Sequence, residues 1–144
     1  MVKSLGRLCE ILESCDLGCI VLTARYRDSC HPDMDSAPGV FISPLNGDVS
    51  SGKKDCSAKI EQQFLIAPFV KCEIDELNQV IKINGELKGP LIEAWEAFYK
   101  LKDCIFCENE KRICDKFYLD RILNPDVCGA HVVLPTVWTT EFIC

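Results

Sequence analysis

Histidine is scarce in this chain: His31 and His131 are the two present among 144 residues. Any histidine-dependent site therefore has little choice of residue. Long apolar runs are also missing. The longest uncharged stretch, Cys128 to Thr140, is interrupted by Pro135 and falls short of the roughly 18 residues of a membrane-crossing helix. No Asn-x-Ser/Thr glycosylation sequence occurs. Lys53-Lys54 is too small to make a basic patch. The 22 acidic residues outnumber the 16 basic ones, for a formal net charge of -6, which disfavours general binding to phosphate backbones. Gly47, Gly52, Gly85 and Gly89 form no run joining a strand to a helix, so no phosphate-binding loop is expected. Internal repeats, linkers and low-complexity tracts are absent too. Lys3 and Arg7 imitate the basic start of a secretory signal, but Glu10, Glu13 and Asp16 break the apolar stretch that a signal needs next.

The remaining composition is that of an ordinary globular domain, 48% apolar and 26% charged, and its length suits one domain over residues 1–144. Cysteine is the anomaly, with 11 residues. An odd count without a signal or glycosylation sequence points to a reducing interior, cytoplasmic or nuclear, with free or metal-bound thiols. A secreted, disulfide-stapled domain is the other reading of the same count. It predicts few free thiols in denaturant.

Lys3–Cys15 reads as an amphipathic helix, with Leu5, Leu8, Cys9, Leu12 and Cys15 on one face. Cys19–Ala24 and Gly39–Ser43 read as buried strands. Arg25–Pro38 and Pro44–Cys56 read as loops, the second expected to be the most mobile segment. Ile60–Ile74 is a strand region, where Pro68 suggests a bend or an edge. Asn84-Gly85 predicts a two-residue type I′ hairpin within Val80–Leu87. Pro90–Leu101 reads as a helix with Leu91, Ile92, Trp95, Phe98 and Tyr99 on its apolar face. Asn109–Leu123 reads as another, with Ile113, Phe117, Tyr118 and Ile122 inward and Asn124-Pro125 as its stop. His131–Cys144 reads as a strand pair or a strand bent at Pro135. The expected fold is α+β: a small mixed or antiparallel sheet with one N-terminal and two C-terminal helices.

The sharpest chemical pattern lies near the end of the chain. Cys104 and Cys107 form C-x2-C, and Cys128 and His131 form C-x2-H. Two-residue spacers let a tight turn aim both side chains at one ion while its amides bond the sulfur. Cys104, Cys107, Cys128 and His131 would close one tetrahedral, structural zinc site, pinning a helix to the last strand. Cys114 competes with His131 for the fourth position. Glu108 and Glu110 beside the C-x2-C raise thiol pKa values and disfavour a redox pair. Asp28, Asp33 and Asp35 lack the ordered spacing of a calcium loop.

These observations favour a non-enzymatic protein-interaction or regulatory domain with a structural zinc. Its expected contact surfaces are the acidic loop Asp28–Asp35 and an exposed edge near Trp138, and the terminal strand allows self-association. The alternative is a cysteine-dependent hydrolase using Cys30 beside His31, or a thiol meeting His131. Its special case is a self-processing protease ending at Cys144.

Overall fold

The computed structural model describes residues 2–22, 38–51, 58–71, 81–110, 116–122, 126–127 and 131–143. Helix α1 (Val2–Ser14) is followed by β1 (Cys19–Leu22), β2 (Gly39–Ser51) and β3 (Ala58–Lys71). A small hairpin, β4 (Ile81–Ile83) and β5 (Glu86–Lys88), leads into α2 (Pro90–Glu110). The chain then continues through β6 (Lys116–Ile122), β7 (Asp126–Val127), β8 (His131–Val133) and β9 (Thr136–Ile143).

The expected pair of C-terminal helices is corrected here. The described residues form a seven-stranded mixed sheet and the β4–β5 hairpin, with two helices, and Lys116–Ile122 is a strand. The segment Lys116–Ile122 supports both periods by its residue types, and β9 decides between them. Phe117 opposes Thr140 and Leu119 opposes Trp138 in an antiparallel ladder. Tyr118 and Ile122, expected inside a helical face, are 45% and 37% exposed. Cross-strand packing has overridden a helical pattern.

β3 is the spine of the sheet. It pairs antiparallel with β2 on one side, and with β9 and then β8 on the other. β1 joins β2 in parallel, which makes the sheet mixed. β6 lies beside β9 and β7 beside β8. Pro68 is therefore central, not at an edge. It is tolerated because the ladder changes partner around it, from Ile66–Thr136 to Phe69–Val133. The Leu134 amide donates to the Pro68 carbonyl at 2.9 Å across that break. β2 also runs further than expected, to Ser51, with a register shift between Pro44 and Gly47. There the Gln62 side-chain amide donates to the Leu45 carbonyl at 2.9 Å.

α1 forms where the apolar spacing predicts a helix: Leu8, Leu12 and, just beyond its end, Cys15 are buried, Leu5 and Cys9 are half-buried, and Ile11, not expected on this face, is buried as well. In α2, Gly89 accepts the first helical hydrogen bond, from the Glu93 amide at 3.0 Å, and Pro90 opens the helix. Its buried stripe is Ala94, Phe98, Leu101 and Ile105, rotated from the expected face, and Tyr99 is 53% exposed. Both stripes pack on Val40, Ile42, Phe64, Ile66, Val132 and Trp138 of the sheet. The opposite face carries its own cluster, in which Phe41 stacks on Phe69 with centroids 4.6 Å apart beside Leu65 and Val133. Asn84 and Gly85 have φ of 52° and 83°, the type I′ turn that the sequence predicts.

Candidate functional site

Where α1 ends, two residues adopt left-handed backbone: Asp16 with φ 55° and Gly18 with φ 93°. Gly18 is required there twice over. Its φ disfavours a side chain, and a Cβ would collide with the Pro38 carbonyl. The Cys19 amide donates to that same carbonyl at 3.2 Å, holding the turn against Pro38. From α2, the Lys100 ammonium donates to the Asp16 carbonyl at 2.8 Å. That contact ties one helix to the end of the other and satisfies a carbonyl at the negative pole of α1.

Cys15, the residue before this turn, forms a disulfide with Cys104 of α2 across a separation of 89 residues, with Cα atoms 5.7 Å apart. The two cysteines sit three residues beyond Leu12 and Leu101, on the core-facing stripes of their helices. The two helices are thus joined by a covalent bond and a charged hydrogen bond about one helical turn apart.

Between the turn and α2 lies an open cleft of about 450 Å³. Leu17 and Val70 are buried and form its floor with Ala97. Asp16, Glu93 and Glu96 rim it, all exposed. Glu93 and Glu96, at i and i+3, share one side of α2. Neither has an ion-pair partner among the described residues. The cleft combines dry aliphatic surface with negative charge, a combination suited to recognition by contact and Coulomb attraction.

Cys104, Cys107 and His131, three of the four residues expected to hold zinc, lie within the described residues. Cys104 lies in the helix layer and its sulfur is bonded to Cys15. Cys107 lies in the last turns of α2, which runs on to Glu110, so the C-x2-C is helical, not a turn. His131 is buried on β8, its ring edge-on to Phe69 with centroids 6.3 Å apart, on the sheet face away from the helices. The described residues thus do not bring Cys104 and His131 together. Cys128 lies outside them, as do Cys114, Cys30, His31, the acidic loop Asp28–Asp35 and Cys144. Among the described residues, no group of three or more His, Cys, Asp or Glu converges as a metal-binding set. No helix among them is long and apolar enough to cross a membrane.

Trp138 is not an exposed contact residue. It is fully buried, and β9 has both edges paired, to β3 and β6. Its indole N–H donates to Thr136 Oγ1 at 2.6 Å, and the Thr136 hydroxyl donates to the Ile66 carbonyl at 2.6 Å. Four residues beyond Thr136, Thr140 is equally buried, yet its hydroxyl has no hydrogen-bond partner among the described residues. The two threonines should respond oppositely to the same change. Thr136→Val strands the indole N–H and costs about 1–3 kcal/mol, while Thr140→Val removes an unpaired polar atom and is neutral or mildly stabilising. Urea unfolding of both variants checks this; equal losses would contradict it.

Cys9 of α1 is a half-buried thiol outside the bridge. Burial raises its pKa above the ordinary value, and Glu13 one turn on raises it further. The protonated thiol is a weak nucleophile. A pH series of N-ethylmaleimide labelling, read by peptide mapping, should place the Cys9 midpoint above that of a free thiol such as glutathione. Rapid labelling at neutral pH would contradict this.

The chain matches no protein-family model, and no curated protein is significantly similar to it.

Proposed function

We propose that this chain is a non-enzymatic protein-interaction domain that receives a segment of a partner in the cleft between the Asp16–Gly18 turn and α2. The observation that supports this reading is the cleft's construction. Four segments far apart in sequence meet there, and a disulfide, a glycine-dependent turn and a lysine–carbonyl bond hold the walls. A recess fixed in this way loses little entropy on binding. The bridge supports work in a setting where disulfides persist, over the reducing interior suggested by composition. Zinc held by Cys104, Cys107, Cys128 and His131 is the competing use of the same Cys104 sulfur, since a disulfide sulfur is not a thiolate ligand.

The test uses a phage-displayed library of random dodecapeptides, selected against the oxidised chain and counter-selected against Ala97→Trp, which fills the recess. Enriched peptides that bind the parent chain and lose binding to Ala97→Trp support the reading. Peptides that bind both forms equally, or no enrichment, contradict it.

A further inference from the structure

We infer that the occupant of this cleft is a basic segment whose arginine side chain lies along the floor, with its guanidinium between Glu93 and Glu96. This inference rests on the interaction reading and adds the chemistry of the partner. The floor of Leu17, Val70 and Ala97 offers aliphatic surface, which suits the three-carbon stem of arginine. The rim offers two carboxylates on one side of α2 with no ion-pair partner among the described residues. A planar guanidinium with five N–H donors can bond both at once, which an ammonium point charge does less well.

Lys100, the one cation of the cleft among the described residues, sets the direction of entry. It is committed to the Asp16 carbonyl, so its charge stays at that end of the cleft. Lys100 lies one helical turn from Glu96 and two from Glu93, so an incoming cation is repelled from Lys100 and drawn toward the Glu93 side of the pair. The net charge of -6 adds a long-range attraction for a basic partner, one that salt will screen. Acidic segments are excluded by the same field.

The experiment titrates the oxidised, 15N-labelled chain with an acetylated, amidated peptide of sequence Gly-Leu-Arg-Leu-Arg-Gly. In parallel it uses the same peptide with citrulline, a neutral isostere, at both arginine positions. The arginine peptide should shift the amide signals of Leu17, Gly18, Glu93 and Ala97. Its affinity should fall about fivefold or more for the citrulline version, and similarly for the Glu93→Gln/Glu96→Gln variant. Both substitutions fall at exposed helix positions and preserve the helix, and an unchanged urea midpoint verifies that. If both peptides shift the same signals with equal affinity, the charge inference is overturned while the interaction reading stands. If arginine-peptide shifts appear elsewhere on the surface, or neither peptide shifts these signals, the arginine site is overturned. A loss of binding to the double variant with the citrulline peptide unaffected would identify charge as the cause.

Discussion

Replacing Cys15 and Cys104 together with alanine should lower the unfolding free energy by about 3–4 kcal/mol. The bridge closes a separation of 89 residues, and restricting so long a loop in the unfolded chain is worth about 4–5 kcal/mol in the chain-entropy description. Relaxation of the native state and residual structure in the unfolded chain reduce that figure. Each single replacement should cost nearly as much as the pair, because either one removes the bond; their effects are then far from additive. Urea unfolding of the oxidised proteins measures all three. Dithiothreitol should bring the parent chain down to the level of the double variant and leave that variant unmoved. A double variant within about 0.5 kcal/mol of the parent would show that the helices are not stapled at these positions.

Trp138→Ala should be the costliest single side-chain truncation, at about 3–5 kcal/mol. The indole is fully buried, opposes Phe64 and Leu119 on the flanking strands, and lies 6.4 Å from the Phe98 ring of α2. Removing it opens a large void where sheet and helix meet. It also takes a donor from Thr136, whose hydroxyl still bonds the Ile66 carbonyl. Trp138→Phe should cost less, since it keeps most of the volume. Denaturant unfolding with an unchanged slope would locate the loss in the native packing. Stability near that of the parent would place Trp138 at the surface instead.

Local signals in the sequence were reliable where one element satisfied itself. The stripe through Leu8 and Leu12 makes α1, and Asn84-Gly85 makes its turn, because both depend on neighbours a few residues away. Long-range pairing was not readable in the same way. Phe117, Tyr118 and Ile122 recur at helical spacing, and β9 nevertheless recruits this segment as a strand. Pro68 suggested an edge, although the switch from β9 to β8 accommodates it at the centre. The C-x2-C spacing drew attention to a turn, while α2 continues through it. A signal for the bridge was present: Cys15 and Cys104 each extend a core-facing stripe, three residues beyond Leu12 and Leu101. With 11 cysteines, that periodicity could not single out the pair. The cleft was not legible from the sequence. Its walls meet only in the folded chain.

A non-reducing peptide map of the natively purified chain, alkylated before digestion and paired with its native mass before and after chelation, decides what Cys104 does. The stapled helix pair predicts a linked fragment joining the Cys15 and Cys104 peptides, unchanged by the chelator. A chain carrying one zinc, in which Cys104 becomes alkylated only after chelation, would contradict it. The cleft would then lose its covalent support, and Cys104, Cys107, Cys128 and His131 would become the site to pursue.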